Sequence, residues 1–347
     1  MHKVKIFLRI FAIALLSFGF VIQIDGQKAI SEREPLMFKT LFPGIEKYIK
    51  FPVGIEVDKE GNYYILEREE QCIKVFKSNY NYSHKIGEIG QGKGELYNTQ
   101  DFCLDKNGTV FVADSGNRRI QYFSSKGQYL GGFNVQFRPR SIKVNSKGEI
   151  YVTGNADLKN NTIISVFNKK GEVLRNFGNV DAKYKDDLIK IVFNKRTYLD
   201  IDQEDNVYIT FEAIPKFRKY DKNEKLIFER EIKGPEIGRI MKKAAIPIAD
   251  HKKQIVSNII AITHDIRVDE NGNILIALGA PYIYQYNREG NKEKVYHCYY
   301  SENGGKKEIG LFKIFSLGST KILGTNPFTN CIISNKKIKE DFYEVLN

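Results

Sequence analysis

Four positions along this 347-residue chain place charged or hydrogen-bonding side chains directly before an apolar strand. They are Gln100 with Asp101, Arg138 with Arg140, Arg196 with Tyr198, and His264 with Asp265. Guanidinium groups bind carboxylate, phosphate and sulfate through paired hydrogen bonds of fixed geometry. If the fold brings the three arginines together, we expect them to bind an anionic group. The sequence leaves open that each arginine pairs instead with a carboxylate of a neighbouring segment.

The same positions also contain ligand atoms for a divalent cation. Asp101, His264 and Asp265 could hold a cation such as calcium and support hydrolase or lyase chemistry. The chain has five histidines and only His264 is well placed, so a zinc centre built from histidines is disfavoured. No Gly-x-Ser-x-Gly motif is present. We therefore expect a non-catalytic binding or scaffold protein without a cofactor, and keep a cation-dependent hydrolase or lyase as the alternative.

A strand–turn–strand unit that recurs along the chain must position these residues. Asp or Asn opens each turn, where it can bond the backbone ahead, and Gly or Asn accepts positive φ. Apolar strands flank each turn, as in a β-hairpin, and a third strand follows with room for a fourth. The five turns are Asp58–Asn62, Asp105–Gly108, Asn145–Gly148, Asp202–Asn206 and Asp269–Asn273.

Repeated four-stranded meanders predict a β-propeller, in which radially stacked blades cover one another. Leu311–Leu317, Lys321–Gly324 and Asn330–Ser334 predict three strands of a sixth blade. Its fourth strand is either Phe342–Leu346 or part of the Pro35–Ile49 region, which would close the ring. We predict an all-β, six-bladed propeller and keep five or seven blades open. The residues at the starts of the innermost strands would then line a central channel.

The string Asp114-Ser-Gly-Asn-Arg-Arg-Ile120, between Phe111-Val-Ala and Gln-Tyr-Phe, is the most specific in the chain. It resembles the NHL repeat of six-bladed β-propellers, and the resemblance covers roughly residues 50–290. The first copy departs from the pattern, with Glu67-Arg-Glu-Glu-Gln-Cys-Ile in place of the turn. The resemblance implies an exported, bacterial type of propeller. It implies no activity, because propellers carry many unrelated functions.

The N-terminus is basic over Met1–Lys5 and apolar over Ile6–Ile24. This pattern predicts a secretory signal peptide at residues 1–26 and a single propeller domain at 27–347, in the periplasm or outside the cell. An uncleaved segment would be the expected contact with a membrane. The net charge is +12, but export argues against a nucleic-acid partner. We expect a monomer that binds another protein, or an anionic small molecule or glycan, at the mouth of the channel.

Three further features leave alternatives open. Cys72, Cys103, Cys298 and Cys331 allow two disulfides in an exported chain, or act as free buried hydrophobes. The insertion around 235–262 has apolar residues at helical spacing, which predicts a helix packed on the rim or a lid. Carbohydrate binding through Tyr296, Tyr299 and Tyr300 is a third function to consider.

Overall fold

The computed structural model describes residues 33–334, apart from 42–43, 156, 158, 183–190, 192, 245–259, 303–304, 312, 318–320 and 327–330. The predicted signal segment and the candidate strand Phe342–Leu346 lie outside the described residues.

Strand β1 (Glu34–Thr40) is the first of the described strands but belongs to the last described blade. Blades 1 to 4 are antiparallel sheets in which consecutive strands pair. A short parallel pair separates the first two blades. The bounds are β2 (Pro52–Val57), β3 (Tyr63–Glu67), β4 (Cys72–Phe76) and β5 (Tyr82–Ile86) in blade 1; β6 (Glu88–Ile89) and β7 (Glu95–Leu96) in the short pair; β8 (Asp101–Leu104), β9 (Val110–Asp114), β10 (Arg119–Phe123) and β11 (Tyr129–Asn134) in blade 2; β12 (Ile142–Val144), β13 (Ile150–Val152), β14 (Ile164–Phe167) and β15 (Val173–Phe177) in blade 3; and β16 (Thr197–Ile201), β17 (Val207–Phe211), β18 (Lys216–Tyr220) and β19 (Leu226–Glu231) in blade 4.

A helix and two further blades complete the described fold. The helix, α1, confirms the helical spacing predicted at the start of the insertion; the remainder of that insertion, to residue 259, lies outside the described residues. The bounds are α1 (Pro235–Ala244); β20 (Thr263–Val268), β21 (Ile274–Leu278), β22 (Tyr282–Tyr286) and β23 (Lys292–Glu302) in blade 5, with β24 (Gly305–Glu308) paired to β23; and β25 (Lys313–Leu317), β26 (Lys321–Asn326) and β27 (Cys331–Ser334) in blade 6.

The innermost strands of the six blades contact one another in sequence around a ring, and β25 of blade 6 returns to β2 of blade 1. Strand β1 completes blade 6. Its residues Lys39 and Thr40 pair antiparallel with β27, while Glu34–Phe38 pair in parallel with β23 of blade 5. Phe38 is fully buried in the apolar cluster between these blades. The N-terminal region therefore supplies the closing strand, which settles one of the alternatives left by the sequence.

The motif that resembles the NHL repeat has a structural role in blade 2. The Asp114 carboxylate is fully buried and accepts hydrogen bonds from the backbone N–H of Tyr97 (2.8 Å) and from Nε of Arg119 (2.6 Å). Arg119 also donates to the carbonyls of Gln91, Gly92 and Glu95. The motif thus fastens the loop that precedes blade 2. In blade 1, Glu67 occupies the matching end of β3 and accepts the backbone N–H of Phe51 (2.7 Å).

Three cysteines, Cys72, Cys103 and Cys298, are buried and free. Burial raises the pKa of the Cys72 thiol to about 11. These three residues therefore follow the second alternative, the small buried hydrophobe. The side chain of Cys331 lies outside those described.

Candidate anion-binding site at the channel mouth

The lower part of the channel is filled by buried ion pairs. Glu56 of β2 accepts hydrogen bonds from Lys143 Nζ (2.8 Å) and Arg267 Nη1 (2.9 Å), which come from blades 3 and 5. Burial by itself would raise the pKa of Glu56, but Arg267 and then Lys143 outweigh it and lower that pKa. Asp200 of blade 4 lies 3.7 Å from Lys143 and 3.9 Å from Arg267. This cluster ties the innermost strands of four blades together.

Above this cluster, Lys313 lies between the two aspartates that the sequence suggested as ligands. Its Nζ is 3.1 Å from Asp101 and 3.3 Å from Asp265, and all three residues are buried. Ser141 Oγ and the backbone N–H of Ile314 donate further hydrogen bonds to these carboxylates. The ammonium group therefore occupies the position between the carboxylates that a bridging cation would need. Neither aspartate lines the two cavities described below.

The channel mouth is the end of the channel at which the innermost strands begin, and it contains the paired arginines. Glu212, which follows β17, accepts a hydrogen bond of 2.5 Å from Arg140 and one of 2.6 Å from Arg196. Arg140 also donates to the Tyr198 hydroxyl (2.6 Å) and to Gln100 Oε1 (2.7 Å). Two of the three predicted arginines thus converge, but on a carboxylate of the protein itself. This outcome corresponds to the alternative of pairing between neighbouring segments.

These side chains border a cavity of about 130 Å³, here called the inner cavity, whose walls include Thr99, Gln100, Arg140, Tyr198, Glu212, His264 and Lys313. His264 is half-buried there, and burial lowers the pKa of its imidazole, although Glu212 acts in the opposite direction. At neutral pH the inner cavity therefore presents a neutral imidazole beside the ion-paired Glu212. The predicted residues Arg140, Tyr198 and His264 do meet at this point.

A larger cavity of about 630 Å³, here called the rim cavity, adjoins the inner one and shares Arg68, Gln100 and Arg140 with it. Arg68, Arg118 and Arg138 line it and are exposed. Among the residues that the structure describes, no carboxylate lies within 4.0 Å of these three guanidiniums. We call them the rim arginines. Lys195 and Arg196 add further positive charge, and no acidic side chain lines the rim cavity among the described residues.

Sequence reasoning found Arg138 but missed the other two rim arginines. Arg68 directly follows β3, and Arg118 lies in the turn between β9 and β10 with a φ of 52°. In an antiparallel meander, the turn after the second strand lies at the same end of the blade as the start of the first. The strand order of the repeat is visible in the sequence, and this relation would have predicted that Arg68 and Arg118 also lie at the channel mouth. Glu212 directly follows the second strand of blade 4, β17, so the same relation would have placed it at the mouth, but the relation does not predict its pairing with Arg140 and Arg196.

The described residues contain neither a group of candidate metal ligands nor a helix that could cross a bilayer. No group of three or more histidine, cysteine, aspartate or glutamate side chains is arranged to hold a metal ion there. None of the helices described is both long and apolar enough to cross a bilayer. Of the tyrosines considered for carbohydrate binding, Tyr300 is buried, while Tyr296 and Tyr299 are half-buried. The Tyr296 hydroxyl donates to Gln285 (2.8 Å), and the Tyr299 hydroxyl is hydrogen-bonded to His297 Nδ1 (2.7 Å).

Comparisons with known proteins agree with this fold. A family model described as "6-bladed beta-propeller" matches residues 49–212. Human NHL repeat-containing protein 3 is 26% identical over 159 residues, which is 43% of this chain and 42% of that protein. The chain therefore matches less than half the length of this curated relative.

Two solved structures show the same architecture. A Bacteroides fragilis protein whose description proposes that it is exported has a TM-score of 0.57 at 14% identity, covering 88% of this chain and 95% of the other. A catalytically inactive virginiamycin B lyase from Staphylococcus aureus, solved with quinupristin, has a TM-score of 0.53 at 12% identity, covering 83% and 95%. Identities this low establish the fold and no activity. From the six contacting innermost strands and these matches, the chain is a six-bladed β-propeller, and its second blade carries a motif similar to the NHL repeat.

Proposed function

We propose that this chain is an exported, non-catalytic propeller that binds an anionic ligand in the rim cavity. One observation carries the proposal: Arg68, Arg118 and Arg138 surround the rim cavity without a carboxylate partner among the described residues. Elsewhere in the channel, cations such as Lys143, Arg267 and Lys313 are paired with carboxylates. Unpaired guanidiniums around a concavity favour carboxylate, phosphate or sulfate groups.

The size of the rim cavity supports a small ligand. Its volume of about 630 Å³ lies within the range of about 300–1,000 Å³ that is typical of small-molecule sites. Export rests on the predicted signal peptide at residues 1–26. The aspartates Asp101 and Asp265 are left out of the proposed site because Lys313 and their hydrogen-bond donors already satisfy them.

The position of Lys313 also argues against the alternative, a cation-dependent hydrolase or lyase built on Asp101, His264 and Asp265. A divalent cation at this place would lie against a buried ammonium group, and that repulsion would be strong in a medium of low polarity. The binding role therefore fits the geometry better than the enzymatic one.

Titration calorimetry of the purified chain with sodium sulfate at low ionic strength tests the proposal. Replacing Arg68, Arg118 and Arg138 together by alanine should weaken sulfate binding at least tenfold. A matched triple variant, Lys126→Ala, Lys170→Ala and Lys222→Ala, removes the same charge from exposed turns away from the mouth and should leave binding within twofold. Equal losses in the two variants would mean that only net charge matters, and would overturn the proposed site.

A further inference from the structure

The rim cavity carries a second set of side chains besides its cations. Neutral hydrogen-bonding residues line it between the arginines: Asn98, Gln100, Ser115, Gln136 and Asn155. An inorganic anion has no need of such groups, because guanidinium donors alone satisfy its oxygens. Their presence indicates that the ligand has an uncharged polar part as well.

Two of these side chains are free to contact a ligand. Gln136 is exposed and Asn155 is half-buried, and neither amide makes a side-chain hydrogen bond within the described part of the chain. Each amide offers one acceptor and two donor positions. Hydroxyl groups also donate and accept, so these amides match a hydroxyl-bearing ligand better than a purely anionic one. Gln100, by contrast, already bonds Arg140 and Asn98.

The aromatic content of the cavity restricts the ligand further. Among the described lining residues, Phe137 is the single aromatic ring, and it is half-buried. Nucleic-acid bases are usually held by stacking on several aromatic rings, which this cavity does not offer. One partly exposed ring is sufficient to cover the C–H face of a sugar.

An extended acidic peptide fits the cavity less well. Peptides of that kind often bind by adding a strand to an open sheet edge. The rim cavity is built from turns and inter-blade links: Arg68 follows β3, Arg118 lies between β9 and β10, and Gln136–Arg140 connect β11 to β12. No strand edge is therefore presented to a peptide backbone by these lining residues.

Building on the function proposed above, we infer that the ligand is an acidic saccharide, a short sugar chain that bears carboxylate or sulfate groups. Its anionic groups contact the rim arginines, and its hydroxyls contact Gln136 and Asn155. Glu212 sets the inner limit of the site: its carboxylate already fills the space between Arg140 and Arg196. It would repel a second anionic group, so the inner cavity receives a neutral, hydroxyl-bearing part of the ligand.

Calorimetry with three matched probes tests this inference: trigalacturonate, its neutral methyl ester, and triglutamate, which carries at least the same number of carboxylates. We expect trigalacturonate to bind at least tenfold more tightly than either of the other two. The double variant Gln136→Ala and Asn155→Ala should weaken trigalacturonate binding about tenfold and leave sulfate binding within twofold. Thermal melting confirms that the variant is folded.

The outcomes separate this inference from the function on which it rests. Triglutamate binding as tightly as trigalacturonate, or no effect of the double variant on trigalacturonate, overturns the saccharide assignment. If sulfate binding still depends on the rim arginines, the proposed function stands while the ligand class is wrong. If no probe shows binding that depends on the rim arginines, both are wrong.

Discussion

Arg140, in the link before blade 3, donates a hydrogen bond of 2.5 Å to the carboxylate of Glu212 in blade 4. The same carboxylate accepts from Arg196 at 2.6 Å. Glu212 therefore holds two guanidiniums in the arrangement that an anionic ligand would otherwise take. The protein therefore carries an internal anion at the inner end of the basic surface that the rim arginines, Lys195 and Arg196 form.

Replacing Glu212 with glutamine should tighten the binding of a small anion. The change frees Arg140 and Arg196 while preserving the shape of the side chain, so we expect sulfate affinity to rise three- to tenfold. Calorimetry on the folded variant measures the effect. Glu270→Gln, an exposed change of the same charge, is the control and should alter affinity less than twofold. A loss of affinity in Glu212→Gln would contradict the view of Glu212 as an internal anion.

Glu56→Gln should destabilise the ring. The substitution leaves Lys143 and Arg267 buried beside a neutral amide, and breaking a buried ion pair typically costs about 3–5 kcal/mol. The free energy of unfolding, measured by urea titration, is the readout. The control is Glu231→Gln, whose exposed partner Lys233 lies 3.2 Å away. Exposed pairs contribute less than about 1 kcal/mol, so similar losses in both variants would contradict the prediction.

The difference in unfolding free energy between the native chain and Glu56→Gln should depend on pH. The pKa of Glu56 is lowered below its ordinary value of 4.5 in the folded state. Its contribution to stability is therefore fully present above pH 4.5 and is lost as the pH falls through the folded value. The stability gap between the native chain and Glu56→Gln should narrow as the pH falls below 4.5. A gap that widens on acidification would contradict the assignment.

Phe38→Ala should weaken the closure of the ring. Phe38 is completely buried against residues of blades 5 and 6, and truncating a buried phenylalanine costs about 3–5 kcal/mol. Met37→Ala, at the neighbouring and partly exposed position of β1, is the matched control and should cost less. The urea midpoints of both variants provide the measurement, and equal shifts would argue against a specific role for the buried face of β1.

The three buried cysteines should be unreactive in the native state. Burial raises the thiol pKa of Cys72 to about 11, and it also raises those of Cys103 and Cys298. Because the thiolate is the reactive form, an alkylating reagent at pH 8 should leave all three unmodified until denaturant is added. Peptide mass spectrometry reads each site separately. If any of the three is alkylated in the folded protein as fast as an exposed thiol, the result would contradict its burial.

The repeat was predictable because its signals are local. Asp58 illustrates this: its carboxylate accepts the backbone N–H of Asn62 (2.8 Å), and Gly61 has a φ of 80°. Such turn chemistry is written in four or five consecutive residues. The identity of the closing strand was not predictable, because β1 pairs with residues at the far end of the chain.

The candidate site was also predictable from the sequence only in part. Arg140, Arg196 and Tyr198 precede or begin innermost strands, so the repeat placed them at the mouth. Their pairing with Glu212 depends on how neighbouring blades rotate and pack, and this information is spread over the whole ring. For the same reason, the sequence could suggest Asp101 and Asp265 as ligands but could not reveal that Lys313 lies between them.

The pairing of β1 with β27 also has a consequence for the order of events during biosynthesis. Strand β1, the first of the described strands, has to wait for β27, the last of them, before blade 6 can form, and pairings between such distant segments form slowly. Blades 1 to 4, which hold the rim arginines, Glu212 and Tyr198, can be complete earlier. A chain that stops before β25 would therefore carry most of the binding surface on an open arc with exposed sheet faces, and we expect it to aggregate rather than to bind.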